Sequence, residues 1–571
     1  MLTLATRSTY TTLLDAETLR AADERPAIIY VSSDRPPVTV TRCAFAEATV
    51  TVAASLYELG LRPRDLIIIA HTQNLESIFA FWGALRLGAI PSMFPTLTEK
   101  LDAGVYMSSL AELARLSGVA AVLTTDAFAP VVRPRLPCPV YGAADLPAPT
   151  GIESGPASAG RTFHPPAPAE IAFLQHSSGT TGLQKGVALS HAAVLNQMAA
   201  YSTALALHEN DVVVSWLPLY HDMGLIAGFL LPLLQGVPLV LMSPFDWVQH
   251  PALLFRAIHD YHGTLCWLPN FAYNHCARGI RRRDMDGLSA ASMRLFVNCS
   301  EPVRHDSQTL FLERFAANGV RPEMLGVSYA MAENTFAVTQ SALDAPPRLD
   351  IVDRRALMEQ RHALPADGAD GPTVTMVSCG RPIAHTELRI VDAERRDLPE
   401  RHVGEVALRS NCMLSGYYHR PDATAQALDG GWYFTGDLGY LADGELYITG
   451  RQKDLIIVGG KNIYPQDIEN ALNDIPGVHP GRTVAFGVPN EALGTEDIAV
   501  ICEVETDDPD AHAAITRAIR TRVAQTTDAT ARYVHLAGPR WLIKTSSGKI
   551  ARAANRQQFI EQVLSQSSEG L

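Results

Sequence analysis

None of the eight cysteines forms a C-x-x-C pair with another, so neither a zinc site nor a dithiol redox motif is expected. Few, scattered thiols in a chain of 571 residues fit a reducing compartment, the cytoplasm. The opening MLTLATRSTYTTLLDAETLR has no basic segment followed by a long apolar run, and no secretory signal is expected. There is no internal repeat and no charge block. Positive charge is in deficit, 47 Lys and Arg against 60 Asp and Glu, for a net charge of -13. Such a surface favours neither nucleic acid nor an anionic membrane, so an anionic ligand needs a local site. An unbroken membrane-spanning run is also missing. The nearest approach, LIAGFLLPLLQGVPLVLM from Leu225 to Met242, is interrupted by Pro232, Gln235, Gly236 and Pro238. It reads as a buried helix, a glycine turn and a short buried strand, not a span.

What the chain does have is core. Hydrophobic residues make up 47% and charged residues 19%, and at about 100–200 residues per domain the length suggests about three to five structural units. Short apolar runs, DLIIIA (65–70), AAVLTT (120–125), DVVVSWLP (211–218), PLVLM (238–242), TLCWLP (264–269) and MRLFVN (293–298), alternate with amphipathic stretches such as 76–88 and 251–263. That alternation predicts an α/β fold with parallel, helix-covered sheets. After about residue 385, HTELRIVD, GEVALRS and GELYITG alternate polar with apolar, as in a smaller antiparallel sheet. The last 120 or so residues mix strands and helices in a small α+β unit. Residues 144–170 and 365–372, rich in Pro, Gly and Ala, read as surface loops.

One stretch carries chemistry by itself. HSSGTTGLQKG (176–186) supplies hydroxyls from Ser177, Ser178, Thr180 and Thr181, permissive backbone at Gly179, Gly182 and Gly186, and one charge at Lys185. Glycines that bring backbone N–H groups close, next to a cation, make a phosphate cradle. The glycine spacing and the Gly186 after Lys185 are not those of a Walker loop.

This string resembles the phosphate-binding loop of the adenylate-forming superfamily, which includes acyl-CoA synthetases, nonribosomal-peptide adenylation domains, luciferases and fatty acyl-AMP ligases. Six further strings follow in the family's order: SWLPLYHDMGL (215–225), VNCSEPVR (297–304), GVSYAMAEN (326–334), YFTGDLGYL (433–441), GRQKDLIIVGGKNIYPQDIE (450–469) and IKTSSGKIARAANRQQF (543–559). The resemblance implies an N-terminal AMP-binding domain over 1–450 and a mobile C-terminal domain over 451–571. It implies ATP and Mg2+ as cofactors. Thr180, Thr181 and Lys185 would hold the β- and γ-phosphates, with Ser177, Ser178 and Gly179 in the same loop. Ser300, Glu301 and Pro302 would border the adenine. Ser328, Tyr329, Ala330, Met331 and Ala332 would form the motif whose aromatic ring stacks on it. Glu333, with Thr181, would ligate magnesium. Asp437 would hold both ribose hydroxyls, assisted by Arg451. Lys549 would reach the acyl carboxylate and the α-phosphate. His221, Met223, Gly224, Ile226 and Phe271 would line the acyl pocket, and Lys453 would be the hinge.

Each of these residue types has an ordinary alternative. Tyr329 alone would be core, Asp437 a turn cap after Gly436, Lys549 a surface lysine and His221 a satisfied core histidine.

The branch implied is that of fatty acyl-AMP ligases, which pass the acyl group to the phosphopantetheine thiol of a carrier protein. HDMGLI, SEPVR, the MAE ending and YPQDIE point there, as does an extra stretch over about 349–379, associated in that branch with poor use of CoA. Two departures keep CoA open as an acceptor: GGKNIYP (459–465) is closer to the CoA-ligase form, and Cys299-Ser300 stands where Gly-Ala is more usual. A stand-alone amino-acid adenylation domain, a luciferase-like oxygenase and a non-catalytic nucleotide binder remain as alternatives.

Overall fold

Apolar strands with no polar face must be covered on both sides, and parallel sheets flanked by helices do this. A computed structural model of the chain describes residues 10–18, 20–72, 74–97, 103–148, 163–176, 185–366, 371–458, 461–490, 495–527, 529–545 and 549–564. The six apolar runs form the strands Leu66–Ala70, Val119–Thr124, Val213–Ser215, Leu239–Met242, Leu265–Leu268 and Leu295–Asn298. They sort into two sheets. The larger runs Leu325–Val327, Leu295–Asn298, Leu265–Leu268, Val213–Ser215, Leu239–Met242, Pro26–Val31, Val38–Thr41, with only the last pair antiparallel. The smaller places Ile90–Phe94, Leu66–Ala70, Val119–Thr124 and Val140–Tyr141 in parallel. Between strands lie the expected helices Leu75–Leu87 and Ala252–Tyr261. The first is fixed at both ends, by a capping box on Asn74 and by Gly88 in the left-handed region at φ 82°,.

The apolar stretch after Leu225 resolves as expected, with one addition. Met223–Leu230 is a π-helical segment that continues into the α-helix Leu231–Gln235, turns at Gly236 and ends in the strand Leu239–Met242. Gly224 sits where a Cβ would lie 2.1 Å from the Pro218 carbonyl oxygen, so the wide turn packs directly on the chain preceding it. Among the described residues, no helix is long and apolar enough to cross a membrane.

The antiparallel sheet also forms, with Thr386–Val391, Gly404–Ser410, Trp432–Ala442 and Glu445–Arg451 in sequence order and Leu428–Asp429 at its edge. Within 349–379, the strands Leu349–Asp353 and Thr373–Val377 pair antiparallel around the helix Arg354–Gln360. The last unit is a three-stranded sheet, Val478–Asn490, Thr495–Val504 and Ala531–Ala537, flanked by Pro465–Ala471, Pro509–Thr527 and Arg552–Phe559. Its core gathers Ile456, Ile463, Ile468, Ile498, Val500, Ile519 and Val523, and Met358 from the 349–379 segment is buried among them.

Candidate active site

In open parallel sheets, ligands bind beyond the carboxyl ends of the strands. Four neighbouring strands of the larger sheet end in candidate residues. Val213–Ser215 leads to His221 and Met223, Leu265–Leu268 to Phe271, Leu295–Asn298 to Ser300, Glu301 and Pro302, and Leu325–Val327 to Ser328 through Glu333. One edge of one sheet thus collects segments more than a hundred residues apart.

The antiparallel sheet closes the other side. Asp437 and Arg451 are register partners on adjacent strands, and Arg451 Nε donates to Asp437 Oδ1 at 2.9 Å. The Tyr329 hydroxyl donates to Asp437 Oδ2 at 2.7 Å. A carboxylate has about four acceptor positions, so Asp437 keeps capacity for further donors. It does not cap the turn at Gly436. The Asp437 charge holds the Arg451 guanidinium above its usual range, while burial, then Asp437, push the Tyr329 phenol well up,. Lys453 follows on the turn Gln452–Asp454, and burial, then Arg451, lower its ammonium.

Glu333 sits on the turn Ala332–Asn334, fixed by a bond from the Leu414 N–H to its carbonyl at 2.8 Å. The next residue but one, Thr335, has φ 62°, an uncommon conformation for a β-branched residue. The Tyr417 hydroxyl donates to Glu333 Oε1 at 2.9 Å and lies 3.0 Å from the Tyr433 hydroxyl. Lys185 Nζ stands 4.7 Å from the Tyr417 ring centroid. Burial raises the Glu333 carboxyl above the ordinary range, and Tyr417 offsets this only in part. A buried carboxylate so perturbed favours a nearby cation. Among the described residues no three His, Cys, Asp or Glu side chains gather as a metal cage. Glu333 could hold a divalent ion together with oxygens of a phosphate ligand, the usual mode for magnesium.

Lys549 reaches this edge from the last unit of the chain. Its ammonium donates to the Ser300 carbonyl at 2.7 Å. Ser300 is itself in the left-handed region, φ 68°. His221 Nδ1 lies 2.6 Å from Asp222 Oδ1. Burial alone would raise Asp222, but His221 and Lys549 outweigh it and hold this carboxyl below its ordinary range.

The acyl-side candidates form a packed wall. Met223 and Ile226 are buried, with Cys299 Sγ 3.4 Å from Met223 Sδ. Trp216 and Trp247 stack at 3.6 Å and 7°. Phe271 packs edge-on against both and remains 42% exposed, which puts it at the rim of this wall. Its backbone N–H donates to Glu301 Oε2 at 2.9 Å.

Ser177, Ser178, Gly179, Thr180 and Thr181 lie outside the described residues. The strands on either side of them are clamped, since His176 pairs with Gly186 in the ladder of Ile171–His176 with Gly186–Ser190. Sequence reasoning missed Tyr417, which has no spacing signal and reaches Glu333 only through the fold. Asp222, the residue after His221, comes under the charges of both His221 and Lys549 through the fold.

Residues 16–418 match the family model described as AMP-binding enzyme. A protein of Caulobacter vibrioides named as an acyl-CoA synthetase is 30% identical over 519 residues, spanning 90% of this chain and 89% of its own. The long-chain-fatty-acid–AMP ligase FadD32 of Mycolicibacterium smegmatis is 31% identical over 586 residues, spanning 92% of this chain and 90% of its own. A solved structure from a study of fatty acyl-adenylate ligases of E. coli and L. pneumophila has a TM-score of 0.89 and 27% identity, covering 98% of this chain and 100% of that one.

Proposed function

The chain belongs to the AMP-binding enzyme family, and from that premise we propose that it activates a carboxylic acid, a fatty acid, as its acyl-adenylate and then loads a carrier protein. One carboxylate oxygen of the acid attacks the α-phosphorus of ATP. The bond to the bridging oxygen breaks, and pyrophosphate leaves. Both reactants are anions, so the protein must supply alignment and positive charge.

In this reading Asp437 and Arg451 hold the ribose, and Tyr329 stacks on the adenine between the Ser300–Pro302 and Ser328–Ala332 segments. Lys185 and the 177–181 segment hold the β- and γ-phosphates. A magnesium ion on Glu333, with Thr181, would neutralise phosphate charge. Lys549 bridges the acyl carboxylate and the α-phosphate, while His221 and Asp222 wall the acyl side. The observation that carries the reading is the Lys549 ammonium seated on the Ser300 carbonyl, brought there by a separate folding unit.

In the second half-reaction a phosphopantetheine thiolate attacks the acyl carbonyl and AMP departs. We place a domain boundary near 450/451, with the later unit swinging about Lys453 to withdraw Lys549 and admit the arm. The 349–379 segment bears on the choice of acceptor. It is tied to the antiparallel sheet through Asp350 with Arg401 at 3.0 Å and Tyr440 at 2.8 Å. It is tied to the last unit through Glu359 with Lys461 at 3.3 Å, Arg361 with Asn462 at 3.2 Å, and buried Met358. Such a strap limits the swing and with it free CoA as an acceptor. The experiment is acid-dependent ATP–pyrophosphate exchange over a panel of acids. Exchange with fatty acids is expected; exchange with amino acids alone, or with none, would refute the reading.

A further inference from the structure

We propose that the exposed face of the helix Asn270–Gly279, with the turn that follows it, is where an acidic carrier protein docks, its phosphopantetheine arm entering beside Phe271. This surface rests on the carrier-loading reading above. A chain of net charge -13 repels an acidic partner over most of its surface, so such a partner needs a local positive landing place. Residues 278–283 read RGIRRR, a cluster too short to register as a charge block. Arg278, Arg281, Arg282 and Arg283 are all exposed. Asp284 engages Arg281 at 3.2 Å and Arg283 at 3.8 Å. Arg278 and Arg282 have no ion-pair partner among the described residues, although the exposed Asp286 shares the turn.

The patch is joined to the site by a rigid element. Phe271 and Arg278 lie seven residues, or two turns, apart on one face of the helix, about 10 Å along its axis. At its other end the helix is held by Glu301, next to the Ser300 whose carbonyl receives Lys549. A phosphopantetheine arm is as long as four to five peptide units, roughly 15 Å extended. A carrier seated on the arginines therefore reaches the rim at Phe271 with its thiol. Phe271 on the helix, and Phe245 and Val248 on the neighbouring helix Pro244–Gln249, are 42%, 44% and 41% exposed, and the His275 ring of the docking helix meets the Val248 carbonyl at 3.1 Å. Apolar side chains flanked by charge are the make-up of a protein interface. A nucleotide phosphate would use the arginines alone, and the net negative charge opposes an anionic membrane.

The test compares the wild type with Arg278→Glu/Arg282→Glu, using a phosphopantetheinylated acyl carrier protein of net negative charge and, separately, free phosphopantetheine. Expected in the variant are unchanged ATP–pyrophosphate exchange and unchanged transfer to free phosphopantetheine. Transfer to the carrier should fall roughly tenfold in kcat/KM through KM. Arg278→Lys/Arg282→Lys should restore it, and added salt should weaken the wild type more than the variant. Equal carrier kinetics in wild type and variant would overturn the surface and leave carrier loading standing. Equal losses with free phosphopantetheine, or loss of binding to anionic vesicles with carrier kinetics intact, would also overturn it. A wild type that makes acyl-CoA and never acylates the carrier would overturn the carrier reading itself, and the surface with it.

Discussion

The two sides of the candidate site are built differently. Asp437, Arg451, Tyr329, Glu333 and Tyr417 belong to interleaved strands and turns, and hydrogen bonds of 2.7–2.9 Å cross-tie them. Lys549 comes from a unit of its own and meets the others through one bond to a backbone carbonyl. The first side is preorganised; the second is conditional on how the last unit is seated. Under the proposed function, this makes binding a nucleotide and reacting with it separable.

Lys549→Ala should break the conditional side alone. Acid-dependent pyrophosphate release should fall on the order of a hundred- to a thousandfold, with ATP binding by calorimetry largely intact; full turnover in that variant would refute the role. Asp437→Ala should break the preorganised side. The lost bonds to a charged acceptor are worth about 1.5–3 kcal/mol each, so ATP binding should weaken at least tenfold. An effect on kcat with no change in ATP binding would contradict the assignment. Removing 365–372 with its flanks loosens the strap between the two sides and should raise acyl-CoA formation several-fold at constant exchange activity. An unchanged acceptor preference in a folded variant would count against the strap.

The smallest effect concerns Asp467, which faces Arg304 and Arg354 across the seam. Burial raises its carboxyl to about 6, although both arginines act the other way. The native chain then binds a proton more readily than the unfolded chain does. Stability should fall as the pH rises from about 4 to about 6 and stay lower above. Asp467→Asn should therefore gain about 1–3 kcal/mol at pH 8 and little at pH 4, measured by thermal melts at both. A gain of equal size at both pH values would contradict the titration.

The strands were legible in the sequence because apolar runs are local signals, whereas the candidate residues of the preorganised side were legible only through the family resemblance of their motifs. The six apolar runs became strands, the Glu333 motif follows the end of a parallel strand, and Asp437 lies on the antiparallel sheet that faces it. The tie between Tyr417 and Glu333 was not legible, since it joins residues 84 apart through sheet pairing that no periodicity encodes. Nor was the π-helical turn at Met223–Leu230, which depends on Gly224 packing against Pro218. The extent of 349–379 could be read, but its grip on the last unit through Met358 and Asn462 needed the tertiary fold. Phe271 was expected to line the acyl pocket; its exposure goes with the stacked Trp216 and Trp247, against which its ring packs edge-on.

The most direct test of the account puts both acceptors in one tube. The protein is incubated with ATP, magnesium, a panel of carboxylic acids, CoA and a phosphopantetheinylated carrier protein, and mass spectrometry locates the acyl group. The account predicts fatty acyl groups on the carrier with little acyl-CoA. Acyl-CoA as the main product would contradict it.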